Sequence, residues 1–153
     1  MTPARMAEIA AACWPDRADR WKAESIETML AQDNTFAVSR PEGFAIVRHS
    51  PFDAELLSID VLPDRQGHGI GRDILAEAMA RAHDLGAREF FLEVDTGNLP
   101  ALRLYDRAGF FVVGGRKRYY RKPDGTWADA HVMAHYFGAE DRIGASGRRR
   151  LNI

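Results

Sequence analysis

The stretch Glu55-Leu56-Leu57-Ser58-Ile59-Asp60-Val61-Leu62-Pro63, followed by Asp64-Arg65-Gln66-Gly67-His68-Gly69-Ile70-Gly71-Arg72, decides the fold. The first part reads as a β-strand that stops at Pro63. Three alternating glycines follow, and a helix starts at once. Ile74, Leu75, Ala78, Met79, Ala82 and Leu85 fall on one face of that helix, with Arg72, Asp73, Glu77, Arg81 and Asp84 mostly on the other. Gly86 is a C-terminal stop. A strand, a glycine turn and a helix make an anion site. Glycines admit positive φ, and the first helical turn offers unpaired N–H groups with partial positive charge. Arg65 and Arg72 would add charge there. Two phosphate motifs fail. The P-loop needs Lys-Ser/Thr after its last glycine, where Arg72-Asp73 stands, and the dinucleotide fingerprint finds Arg72 or Ile74 at its third glycine.

Upstream, Pro3–Ala12 is Ala-rich and predicted helical, ending at Trp14-Pro15 because the residue before proline avoids the helical region. Lys22–Gln32 is a second helix. Phe36–Ser39 and Gly43–Arg48 flank Pro41-Glu42 as a hairpin. Downstream, Glu89–Val94 is the clearest strand. Thr96–Pro100 breaks it, and a short helix over Ala101–Ala108 stops at Gly109. Phe110–Val113, Lys117–Arg121 and Ala130–His135 are further strand pieces, with a turn at Pro123-Asp124-Gly125. This order specifies an α/β (α+β three-layer) domain with one mixed sheet. The expected division is one domain over 1–137 and a basic tail over 138–153 carrying Arg148-Arg149-Arg150, read as a frayed end.

The chain has 153 residues, one domain's worth, with 46% hydrophobic and 28% charged residues. A chain of this size buries roughly 70% of its unfolded surface and needs no disulfide or metal to fold. Twenty-one Lys and Arg against 22 Asp and Glu leave a net charge of -1, so no global basic field points to nucleic acid. A single cysteine, Cys13, excludes an intrachain disulfide and suggests a cytoplasmic compartment. No apolar run approaches a membrane span. His131 and His135 are four apart but lack the Glu of a zinc-protease helix, so no metal is expected. Cys13 reads as a small buried hydrophobe beside Trp14.

Gln66-x-x-Gly69-x-Gly71 resembles the acetyl-CoA signature of the GNAT N-acetyltransferase superfamily, Gln/Arg-x-x-Gly-x-Gly/Ala. Leu92-Glu93-Val94, Asn98, Leu104-Tyr105 and Gly109-Phe110 extend the resemblance. Arg118-Tyr119-Tyr120, Asp124-Gly125 and Asp129-Ala130-x-x-Met133 are similar to the RimI type within it, the ribosomal-protein-alanine N-acetyltransferases. The resemblance covers about residues 36–135. It implies a mixed, mostly antiparallel sheet whose middle strands splay, with acetyl-CoA as co-substrate in the gap. It also implies that Ile59, Asp60 and Val61 bind the pantetheine and acetyl group through their backbone. By the same resemblance Gly67, His68, Gly69, Ile70, Gly71 and Arg72 hold the pyrophosphate, Asn98 contacts the CoA arm, Glu93 is general base and Tyr105 general acid. Asp95 stands where many relatives of this type carry a basic residue, which makes the substrate side more acidic.

Acetyl transfer from a thioester needs a neutral amine. An α-amine of pKa near 8 is easier to deprotonate than a lysine near 10.4 by about 3 kcal/mol. A base, an oxyanion donor near Val61 and a proton for the leaving thiolate complete the requirements. Each candidate also has a plain structural role. Glu93 can pair with an arginine such as Arg103. Tyr105 can be a core residue like Leu102, and Tyr119-Tyr120 can serve either the acceptor groove or hairpin packing. The expected acceptor is a protein N-terminus, alanine of a small-subunit ribosomal protein. A lysine or small amine is the alternative, and a non-catalytic acyl-CoA sensor comes after it. The expected enzyme is a monomer or weak dimer, without direct nucleic-acid or membrane contact.

Overall fold

The computed structural model describes residues 1–17 and 20–138. Helix α1 (Pro3–Cys13) starts where Thr2 Oγ1 accepts the Arg5 N–H at 3.1 Å, and Pro3 takes a first-turn position that needs no donor. Helix α2 (Ala23–Leu30) leads into the hairpin of β1 (Thr35–Arg40) and β2 (Gly43–His49), then β3 (Asp53–Val61). After a 3-10 turn over Pro63–Arg65 come α3 (Ile70–Asp84), β4 (Glu89–Asp95), α4 (Leu99–Arg107), β5 (Phe111–Arg121) and β6 (Trp127–Tyr136).

The six strands of the described residues form one sheet in the order β1-β2-β3-β4-β6-β5. Every neighbouring pair is antiparallel except β3 and β4. That parallel pair is short: Asp53, Ala54 and Glu55 meet Glu89, Phe90 and Phe91, and the register then ends. Leu56–Val61 therefore parts from the second half of β4, opening the expected splay in mid-sheet.

Strand β3 changes phase as it enters the splay. Val47 pairs with Leu56 and Ile46 with Ser58, so Leu57 is an extra, bulged residue. Before it, Ala54 and Leu56 join the core beneath α3 and α4, and beyond it Ile59 and Val61 do so. Ser58 and Asp60 consequently face the α1 side. Two apolar layers result. One joins Ile74, Leu75, Ala78, Leu102 and Tyr105 to Ala45, Phe90 and Leu92. The other joins Met6, Ile9 and Ile26 to Phe44 and Ile46. Phe90 is fully buried and meets Phe110 edge-on at 5.8 Å.

Several expectations are corrected. Pro100 lies inside α4 rather than before it, because the first helical turn has no use for its missing N–H. The two strand pieces after Gly109 form a single strand, β5, interrupted by irregularities at Val112/Gly114 and Arg116/Tyr120. Leu85 caps α3 and is 51% exposed, having left the helical face that buries Ile74, Leu75, Ala78 and Ala82. The basic-tail reading over 138–153 lies, apart from Gly138, outside the described residues.

Candidate active site

The splay exposes one edge of β3. Leu62 N–H donates to Glu42 C=O at 2.9 Å, in register with the Asp60–Phe44 pair. Antiparallel alternation then turns the N–H and C=O of Ile59 and Val61 away from β2 and toward the gap. The Val61 carbonyl accepts from Gln66 Nε2 at 3.0 Å and from Cys13 Sγ at 3.1 Å. Gln66 thus ties the glycine turn to this edge.

In that turn Gly67 and Gly69 take φ of 78° and 83°, which side chains rarely adopt, so glycine is required at both. Gly71 is helical. A methyl built on it would lie 3.7 Å from Leu104 and Val61, an ordinary contact that places the first turn of α3 against the splayed strand. His68 is exposed and Ile70 half-buried. Arg72 folds back toward Gly69 and lies 3.5 Å from Asp73, while Arg65 is 3.9 Å from Glu42. Asn98 caps α4, its Oδ1 accepting the Ala101 N–H at 3.3 Å. Its side-chain amide group retains its two donors for a ligand.

Tyr105 comes to the gap from α4. It is 6% exposed, and burial pushes its phenol well above its ordinary range, with Asp60 and Tyr120 adding to the rise. The other face of the gap carries carboxylates. Alternation along β4 buries Phe90, Leu92 and Val94 and turns Glu93 and Asp95 to the α1 side. The Glu93 side chain is 16% exposed, and Arg116 Nε lies 2.7 Å from its Oε1, having crossed β6 from β5. Arg116 takes the place that the sequence reading gave to Arg103. Hydrogen bonding to Glu93 raises the Tyr119 phenol, helped by burial and the carboxylate charge.

Asp60 was expected to act through its backbone alone, yet its side chain has its own surroundings. It is 5% exposed, accepts from Trp14 Nε1 at 2.9 Å and takes the Ser58 hydroxyl at 3.4 Å. Burial raises its pKa, opposed by those hydrogen bonds and by the Arg17 charge. Cys13 is half-buried and packs against the α1-side core, and its thiol is pushed up to about 12 by burial and by Asp60, against its bond to Val61. Cys13, Trp14, Pro15, Asp16, Arg17, Asp95, Tyr120, Arg121, Lys122 and Pro123 line a cleft of about 330 Å³ between the segment after α1 and the β5–β6 hairpin. Among the described residues no cluster of three His, Cys, Asp or Glu side chains suits a metal. No helix of the described residues is long and apolar enough to cross a membrane.

Sequence reasoning missed Arg116, Arg17 and the Asp60 side chain. Only Asp60 left a signal, a charged residue between Ile59 and Val61 in an otherwise apolar strand end. The arginines reach the site across strands or along an irregular segment, and no periodicity marks that.

The site thus consists of a parted parallel pair, a glycine turn against its edge, and a tyrosine and a glutamate on its two faces. The chain belongs to the acetyltransferase (GNAT) family, whose model matches residues 4–110. Acetyl-CoA is the acyl donor of that family. The chain is similar to the [ribosomal protein bS18]-alanine N-acetyltransferase of Haemophilus influenzae, 39% identical over 61% of this chain and 64% of that one. It is 36% identical to the N-alpha-acetyltransferase RimI of Mycobacterium tuberculosis over 75% of each chain. The crystal structure of the Escherichia coli ribosomal-protein-S18-alanine N-acetyltransferase superposes with a TM-score of 0.74 at 26% identity, covering 90% of this chain and 88% of that one.

Proposed function

We propose that the chain transfers acetyl from acetyl-CoA to a protein's terminal α-amine, alanine of a small-subunit ribosomal protein in the cytoplasm being the acceptor its relatives indicate. The observation that carries this reading is the unpaired β3 edge at Val61, with Tyr105 on one face and Glu93 on the other. The backbone edge of Ile59–Val61, the turn Gly67–Arg72 and the Asn98 amide form the donor's bed. The positive φ at Gly67 and Gly69 and the N-terminus of α3 suit a pyrophosphate.

Glu93 takes a proton from the acceptor ammonium, directly or through a water, and the neutral amine attacks the thioester carbonyl. The Val61 N–H donates to the oxygen as it becomes an oxyanion. Collapse of the tetrahedral intermediate breaks the C–S bond, and Tyr105 protonates the leaving sulfur. Its raised pKa keeps the hydroxyl protonated through neutral pH, so it is a donor whenever the sulfur departs. The nitrogen loses two protons in all. One leaves through Glu93, and the other replaces the proton Tyr105 gives to CoA.

Thiol release from acetyl-CoA is measured with two basic peptides. One has a free N-terminal alanine and no lysine; the other has a blocked terminus and one internal lysine. Release with the first alone is expected. Release only with the second, or only with small amines, would replace this acceptor with a lysine or a metabolite.

A further inference from the structure

Arg17 sits in an unusual place. Its guanidinium carbon is 5.2 Å from the Trp14 ring centroid and 5.3 Å from that of Tyr120. Trp14 belongs to one wall of the acceptor-side cleft and Tyr120 to the other, so one cation bridges both. Both separations fall within the roughly 6 Å reach of a cation–π contact. Carboxylates and cations alternate around the slot. Asp60 holds the Trp14 indole at 2.9 Å and feels the Arg17 charge. Asp16 and Asp95 line the cleft, and the charges of Glu93 and Asp95 reach the Tyr120 phenol. Arg121 and Lys122 are the opposing charges in its lining.

The slot stands close to the chemistry. The Tyr120 ring lies 4.9 Å from that of Tyr119, Arg116 lies 5.4 Å from the Tyr119 centroid, and the same Arg116 is 2.7 Å from Glu93. A peptide with its amine at Glu93 brings the side chain of its second or third residue to the same depth.

Resting on the peptide-acceptor reading, we propose that Trp14 and Tyr120, backed by Asp60 and Asp95, form a cation slot for a basic side chain next to the acceptor's terminal amine, and that Arg17 fills this slot until the acceptor displaces it. Arg17 is chemically the same ligand, a guanidinium between two aromatic faces. The slot makes the acceptor's second or third residue a determinant of selectivity, separate from recognition of the amine.

The test uses three peptides, Ala-Xaa-Gly-Gly-Ser with Xaa as Arg, Gln or Glu. Turnover is read by thiol release with the free peptides. Binding is read by calorimetry with the N-acetylated forms, which need no chemistry. In the wild-type chain kcat/KM for the Arg peptide exceeds that for the Gln peptide by about tenfold, the Glu peptide being poorest. Arg17→Ala widens the Arg-to-Gln ratio by removing the internal competitor, and Tyr120→Leu brings it toward one. Equal handling of the Arg and Gln peptides in both assays overturns the proposal. So does preference for the Glu peptide, which would make Arg17 itself the recognition group, and so does failure of all three acetylated peptides to bind. Tighter binding of the acetylated Arg peptide without turnover of any free peptide upholds the slot and overturns the acceptor reading. If Tyr120→Leu does not fold, Arg17→Ala and the wild-type peptide series decide the matter.

Discussion

Gln66 Nε2 donates a 3.0 Å hydrogen bond to the Val61 carbonyl, joining the glycine turn to the exposed edge of β3. The bond fixes the turn relative to the backbone that faces the acyl group. A single neutral hydrogen bond contributes about 1 kcal/mol. Gln66→Ala is expected to raise KM for acetyl-CoA roughly fivefold. Steady-state rates at varied acetyl-CoA and saturating acceptor check this, and an unchanged KM would show that the turn holds its place without the bond.

Glu93→Gln keeps the shape and the hydrogen-bonding oxygen of the side chain but loses its basicity. The expected loss in kcat is about 10²- to 10³-fold at pH 7. It should shrink by pH 9.5, where an α-amine of pKa about 8 is neutral without help. A deficit that stays constant across that range would assign Glu93 a positioning role.

Tyr105→Phe removes one oxygen from a residue that packs against Phe110 at 5.9 Å between ring centroids. Packing survives, so the melting temperature should move by only a few degrees, while kcat falls by about 10- to 100-fold. Comparison of the two readouts separates proton donation from packing. A wild-type kcat in the variant would return Tyr105 to the core.

Asp60 supplies the pH prediction. Its folded pKa is raised above 3.8, mainly by burial, so the native state holds this proton more tightly than the unfolded chain does. The contribution of Asp60 to stability is fully present below pH 3.8 and is lost as pH rises through the folded value. Asp60→Asn keeps an acceptor for Trp14 and carries no charge. Its stability relative to wild type should therefore increase from pH 3.5 to pH 8. Urea denaturation at both values measures this, and a constant difference would refute the buried-carboxylate description.

Cys13, with its thiol near 12, is almost entirely protonated at pH 8. Alkylation by iodoacetamide should be about 10³-fold slower than that of a free thiol, from thiolate fractions alone. Cys13→Ser should retain at least half the wild-type kcat, since a hydroxyl also donates to the Val61 carbonyl. Collapse of turnover in that variant would point to a covalent acetyl-thiol route.

The fold was legible where local chemistry and topology agree. Pro63, the alternating glycines and the helical spacing from Ile74 to Ala82 place β3, the turn and α3, and the alternation around Glu93 gives β4 with its two faces. The splay between the middle strands came only from the family resemblance, since no spacing within either strand encodes where a neighbour departs. Positions Glu93 and Tyr105 were likewise reached by resemblance. Their surroundings were not: Arg116 crosses a whole strand to reach Glu93, and Arg17 meets Tyr120 from more than 100 residues away in sequence. Such pairings depend on side-chain reach across an assembled surface, which periodicity does not record.

The extra residue at Leu57 makes β3 an amphipathic strand written in two reading frames. Before it, even-numbered residues enter the α3 side of the sheet; after it, odd-numbered ones do. Deleting Leu57 would remove the bulge and join Leu56 directly to Ser58, so Leu56, Ile59 and Val61 would keep the α3 side and Ser58 and Asp60 the α1 side by plain alternation. Deleting Ile59 instead would turn Asp60 into the apolar layer under α3 and Val61 toward the acceptor. The donor and acceptor surfaces of this one strand therefore tolerate a change of length at the bulge and not beyond it, where only substitution leaves both in place.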